Sequence, residues 1–210
     1  MNIKEYKCSQ YRSHWQNGSY WLSMATTLKA AADKIFDVWM NACKRYENLK
    51  EEDGYLVTDD YIITIDREML LFPVYMLLMG YALENLVKGI IISEMRRIDP
   101  KSIDRENLGD LLLPWKDGVG KCSITTHIFK HLFNIKYCNI NLPNEEMRLL
   151  EEIEEYVLSG GKYPTPKKFN GSFTNNTDLV VMDYDRRQKP INALYSKLWT
   201  RLSESDLPHV

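Results

Sequence analysis

The residue pattern predicts an all-α fold, a bundle of four to five main helices with long loops and room for a small β-hairpin. Three observations predict it. Apolar residues recur at helical spacing from Tyr20 to Leu49, a mostly apolar stretch runs from Met69 to Ser93, and Pro190 opens an amphipathic C-terminal segment. No Gly/Ser-rich or proline-rich linker divides the 210 residues. One helical domain therefore accounts for 1–210, with an N-terminal extension over 1–19 and an extended loop region over 160–188.

In the first long helix, Trp21, Met24, Leu28, Ala31, Ile35, Val38, Trp39, Ala42 and Tyr46 form the apolar stripe, with Lys29, Asp33, Lys34 and Asp37 between them. Asp53-Gly54 breaks that period. The alternation at Tyr55–Val57 and Tyr61–Ile63 predicts a loop with a short hairpin. A second long helix runs from about Arg67 to Arg97, with Pro73 in its first turn or kinking it, and Asp99-Pro100 stops it. Asp104 to Leu113 reads as a short helix before Pro114 and a turn at Gly118/Gly120. Thr125 or Thr126 would cap a third helix, His127 to Tyr137, burying Ile128, Phe129, Leu132 and Ile135. Asn144 would cap a fourth, Glu145 to Leu158, with Met147, Leu150, Ile153, Tyr156 and Val157 on one side, ending at Gly160-Gly161. Tyr163-Pro164-Thr165-Pro166 must be extended, 167–185 is loop-like with a strand candidate at Leu179–Met182, and Pro190 starts the last helix through Ile191, Leu194, Leu198 and Leu202.

Composition narrows the function classes. Lys and Arg number 27 against 29 Asp and Glu, which excludes an overall basic nucleic-acid binder and leaves only local patches. Cys8, Cys43, Cys122 and Cys138 are scattered without a CxxC, and the first residues lack the apolar run of a secretory signal, so reduced thiols in a cytoplasmic protein are expected. The uncharged run from Met69 to Leu83 falls short of the ~20 residues that cross a bilayer, so no membrane contact is expected.

The chemical candidates begin with Glu84 and Lys88, which lie one helical turn apart in the most apolar helix, in the favourable order for an ion pair. Buried charge needs a partner, so the pair is either structural or part of a site. His127, at a predicted helix N-terminus, suits a neutral ring that exchanges a proton as general acid or base; its alternative is a capping or core-edge histidine. Cys122, His127, His131 and Cys138 match no zinc-finger spacing and lack the Glu of HExxH, so neither metal nor other cofactor is expected. Toward the C-terminus, Lys162, Lys167, Lys168, Arg186, Arg187, Lys189, Lys197 and Arg201 outnumber Asp178, Asp183 and Asp185, with Tyr163, Phe169, Phe173 and Tyr184 interleaved. That mixture suits phosphate contact with base stacking on single-stranded RNA. The same basic segment could instead pack against the acidic helix from Glu145 to Glu155.

Three stretches, in this order, resemble segments of HEPN-superfamily proteins. Met79-Gly80-Tyr81-Ala82-Leu83-Glu84-Asn85-Leu86-Val87-Lys88-Gly89 resembles their "GyalEnllKg" helix, and Thr126-His127-Ile128-Phe129-Lys130-His131-Leu132 their "gHdLxxL" helix start. Gly160-Gly161-Lys162-Tyr163-Pro164-Thr165-Pro166 resembles a "GRYP" segment of one bacterial branch related to abortive-infection and toxin proteins. The resemblance spans about Leu70 to Pro166 and implies a HEPN-type bundle, a homodimer with a cleft between protomers, and a role in phage defence or a toxin–antitoxin pair. Such proteins are either metal-independent endoribonucleases or non-catalytic binders of nucleotides or partner proteins. The chain departs from the family at Ile128, where Asp is usual, and at Lys162, where Arg is usual. The nuclease branch's arrangement of Arg, a polar residue, a short spacer and His is not found, since Arg12 is too close to His14 and Arg105 too far from His127.

If the protein cleaves RNA, His127 would be general base or acid, Lys88 or Lys162 would stabilise the phosphorane, and Glu84 would orient Lys88. Lys162, Tyr163, Lys167, Lys168, Arg186 and Arg187 would hold RNA or nucleotide. The alternative is a non-catalytic helical module that binds a partner protein. The first reading requires the His127 segment to lie beside the Gly80–Ser93 helix, with Gly80 letting the backbones approach.

Overall fold

The computed structural model describes residues 3–51, 67–68, 70–103, 108–160 and 184–205. It is mostly helical with one small antiparallel sheet. The helices are α1 (Ile3–Trp15), α2 (Gly18–Glu51), α3 (Phe72–Ile98), α4 (Phe129–Asn134), α5 (Asn144–Glu155) and α6 (Tyr184–Ser205), and the strands are β1 (Leu112–Pro114) and β2 (Lys121–Ser123).

α3 is the axis of the fold. It packs along α2 over its greatest extent, and α6, α5, α4 and the π-type turn Tyr156–Gly160 cover its other sides. By length and composition α3 could cross a membrane, but 78% of its most apolar stretch is buried inside the chain, so the apolar breadth is used up as core. Pro73 sits in its first turn, where the missing N–H would have had no helical partner. Asp99 ends it, as expected.

The buried face of α2 is Trp21, Ala25, Ala32, Phe36, Trp39, Ala42 and Cys43, so Trp21, Trp39 and Ala42 of the expected stripe are core, while Met24, Ala31 and Val38 are exposed. Small Ala25 and Ala32 let α3 come close, whereas the sequence weighting favoured the larger Met24 and Val38. Phe36, Trp39, Phe72 and Tyr75 then pack with ring centroids 4.8 to 5.9 Å apart, joining the C-terminal half of α2 to the start of α3.

The N-terminal extension contains a helix, α1, and contributes Trp15 to the core, 2% exposed, with its carbonyl accepting from Trp21 Nε1 at 2.8 Å. The short helix expected over 104–113 is a 3-10 turn, Leu108–Asp110, followed by β1. β1 pairs with β2, so the hairpin lies around the Gly118/Gly120 turn, with Gly118 at φ 73° where a side chain would be strained. The hairpin expected over 55–63 and the strand at 179–182 lie outside the described residues.

Three helix boundaries differ from expectation. The third predicted helix shrinks to Phe129–Asn134, because Ile135 bridges to Trp115 and the Lys136 N–H donates to the Pro114 carbonyl at 2.8 Å, diverting the backbone into the hairpin. α5 begins with Asn144, whose side chain makes no cap; Pro143 is the cap residue. α6 starts at Tyr184, so residues 184–188 of the predicted loop are helical and Pro190 lies inside the helix. A mid-helix proline costs about 3 kcal/mol. Burying Ile191, Leu194, Leu198 and Leu202, all at most 1% exposed, offsets this at roughly 1.5–3 kcal/mol each.

Candidate functional site

Glu84, Lys88 and His127 meet. Glu84 and Lys88 share one face of α3 and are 4% and 6% exposed, with Lys88 Nζ donating to Glu84 Oε1 at 2.7 Å. His127 Nδ1 lies 2.9 Å from Glu84 Oε2 and 3.1 Å from Oε1. An ionised carboxylate only accepts, so the geometry puts the proton on Nδ1 and leaves Nε2 as the ring's free acceptor. The His127 side chain is 45% exposed while its carboxylate partner is buried, so one buried acid orients a ring that solvent and ligand can reach. The Tyr81 ring stands edge-on to the imidazole, with centroids 6.2 Å apart.

His127 does not open a helix. It sits two residues ahead of α4, in the stretch where Thr126 Oγ1 accepts from the Ile128 N–H at 3.2 Å. Its orientation comes from Glu84 and owes nothing to the helix dipole proposed from the sequence. The N-terminus of α4 is closed by Glu154 of α5, whose Oε2 accepts from the Phe129 N–H at 2.6 Å. Gly80 does make room for a close approach, but for a different neighbour. A Cβ there would lie 2.3 Å from Val157 Cγ2 and 3.0 Å from Ile153 Cγ2, so the glycine admits α5 and its π-type turn and not the His127 segment.

Cys122, on the inner side of β2, is close enough to Lys88 to feel its charge. Burial pushes the Cys122 thiol up, and the charge of Lys88 opposes it. A thiol held protonated in this way is a poor nucleophile. Burial likewise raises Cys138. Among the described residues no three His, Cys, Asp or Glu side chains converge to hold a metal ion, so Cys122, His127, His131 and Cys138 do not form a set.

Burial also pushes the Glu154 carboxyl up, opposed by its bond from the Phe129 N–H; Glu151 raises it further and His131 lowers it. The folded chain therefore keeps this proton more readily than the unfolded chain, and stability falls as pH rises from the ordinary carboxylate range toward the raised value. Glu154→Gln retains an acceptor for Phe129 and removes that cost. Thermal melts should show the variant gaining on the wild type as pH rises above the ordinary carboxylate range.

None of the other predicted binding residues has a described side chain. Lys162, Tyr163, Lys167 and Lys168 lie outside the described residues, and Arg186 and Arg187 fall in the first turn of α6, their side chains outside the description. Lys197, counted in the same basic set, donates to Glu146 Oε2 on α5 at 2.7 Å. At that position the packing of basic segment against acidic helix is what occurs. A groove of about 420 Å³ between α2 and α6, lined by Thr26, Lys29, Asp33, Tyr195 and Trp199 among others, shares no residue with the Glu84 cluster. What sequence reading missed are Trp115 and Glu154, whose places depend on the hairpin and on α5 packing beside α4.

The fold and cluster define a helical protein with a carboxylate-held histidine at its surface. Comparison with known proteins adds nothing further: no protein-family model, no curated protein and no solved structure matches the chain.

Proposed function

We propose that this chain is a HEPN-like cytoplasmic protein that recognises RNA or a nucleotide, and that it cleaves RNA without a metal in a phage-defence or toxin–antitoxin setting. The observation that carries this reading is the Glu84–His127 contact, which leaves a reachable imidazole nitrogen free for proton transfer. RNA supplies its own nucleophile, the 2′-hydroxyl, so a single positioned proton acceptor is a sufficient start. In this reading His127 Nε2 takes that proton or returns one to the leaving oxygen. Lys88, buried on Glu84, acts as a positioning residue that holds the carboxylate in place. The setting and a two-fold homodimer rest on the sequence resemblance.

A second reading has an observation of its own. Glu84 and Lys88 are nearly inaccessible, as a purely structural pair would be, and the chain would then be a non-catalytic module that binds a partner protein. Incubating the purified protein with mixed RNA under chelator separates the two. New RNA ends support the nuclease, RNA retention that weakens with salt but yields no products supports a binder, and neither result leaves the partner module.

A further inference from the structure

The groove between α2 and α6 sets an ion pair beside two aromatic rings. On α2, Thr26, Lys29 and Asp33 recur at helical spacing and share a face; on α6, Tyr195 and Trp199 are one turn apart. Together they line a space of about 420 Å³, within the ~300–1,000 Å³ common for small-molecule sites.

The parts are held in place by the protein itself. Thr26 Oγ1 donates to the Leu22 carbonyl at 2.8 Å and accepts from Trp199 Nε1 at 3.4 Å, which ties the indole to α2 while Trp199 stays 39% exposed. Lys29 Nζ donates to Asp33 Oδ1 at 2.5 Å and to Oδ2 at 2.7 Å, and stands 5.6 Å from the centroid of the Tyr195 ring. The Asp33 side chain is 45% exposed and that of Lys29 17%, so the carboxylate is the more open half of the pair. An ion pair so placed contributes little to stability, and the groove gains a charged edge beside an open ring that the core does not require.

Each oxygen of a carboxylate paired in this way keeps a lone pair, and the ammonium keeps an N–H. Side by side they offer two acceptors and a donor. The Watson–Crick edge of guanine carries the complement, with N1–H and the 2-amino group as donors and O6 as acceptor. Adenine, cytosine and uracil each bring one donor group on that edge and leave a carboxylate oxygen without a partner. The indole supplies the flat face on which a base stacks.

The geometry points to this groove as a guanine-binding site, in which Asp33 accepts from N1–H and the 2-amino group, Lys29 donates to O6 and Trp199 stacks on the base. It shares no residue with the Glu84–His127 cluster, so it stands or falls apart from the cleavage reading. The guanine belongs to a free nucleotide or to a single-stranded RNA, since both present the same edge.

Isothermal titration calorimetry of the full chain with GMP, AMP, CMP and UMP tests the assignment. GMP should bind about tenfold more tightly than the other three, the discrimination that one bidentate contact supplies. Trp199→Ala should weaken GMP about tenfold by removing the stacking face. Asp33→Asn keeps the side-chain shape and an acceptor for Lys29 but replaces two acceptors by one, so it should lose about tenfold for GMP and bind GMP and AMP alike. A tetranucleotide with one guanine that binds more tightly than GMP identifies RNA as the source, and GMP binding that the tetranucleotide does not match identifies a free nucleotide; either upholds the site. Equal binding of the four nucleotides, or GMP binding untouched by both variants, would put the contact on phosphate or elsewhere and overturn the site, as would the absence of GMP binding at millimolar concentration.

Discussion

Glu84→Ala should destabilise the protein by about 3–5 kcal/mol, enough to unfold much of it at physiological temperature. Lys88 is 6% exposed, and Glu84 is the acceptor the structure gives it, at 2.7 Å. Removing the carboxylate leaves an ammonium in the α3 core with neither water nor counter-charge. That penalty exceeds what the pair contributes when intact, because two desolvated charges repay only part of their own burial cost. The double variant Glu84→Leu/Lys88→Met, apolar and of similar volume, should therefore be much more stable than Glu84→Ala alone. Urea melts of the three proteins check this. A Glu84→Ala midpoint matching wild type would show that Lys88 finds water or another acceptor.

His127→Ala should lose RNA cleavage by on the order of 10²–10⁴-fold while keeping its melting temperature nearly unchanged. The asymmetry follows from exposure. The His127 side chain is 45% exposed and packs at the edge of the core, so its loss opens no cavity, and Glu84 retains Lys88 as a charge partner. Nε2 is the one ring atom the structure leaves for a substrate proton, and alanine offers no substitute. Rapid-quench rates and melts on the same preparation separate the two effects.

The helices were legible where one face is buried and the other wet. α3 could be read from its apolar run, its proline and its Asp99 stop, and α5 with its π-type turn from the buried spacing of Leu150, Ile153 and Val157. The α2 face was legible at Trp21, Trp39 and Ala42 but not at Ala25 and Ala32, which hold core positions by being small, a tertiary condition that hydropathy does not carry. The hairpin was missed because three-residue strands hold too short a period, and its pairing with Ile135 and Lys136 is long-range. At the candidate site, the i,i+4 spacing announced Glu84 and Lys88, and His127 was drawn to them as expected. The reason for that meeting was different, since a carboxylate 43 residues away orients the ring where the sequence suggested a helix terminus.

The central claim is that the imidazole held by Glu84 is the proton-transferring group. The most direct measurement is the rate of RNA cleavage, in chelator, by wild type and by His127→Ala with and without added imidazole. The claim predicts cleavage by wild type, near-silence from His127→Ala, and a rate in the variant that rises with imidazole as the free base settles against Glu84. Cleavage by His127→Ala at the wild-type rate without imidazole would contradict it.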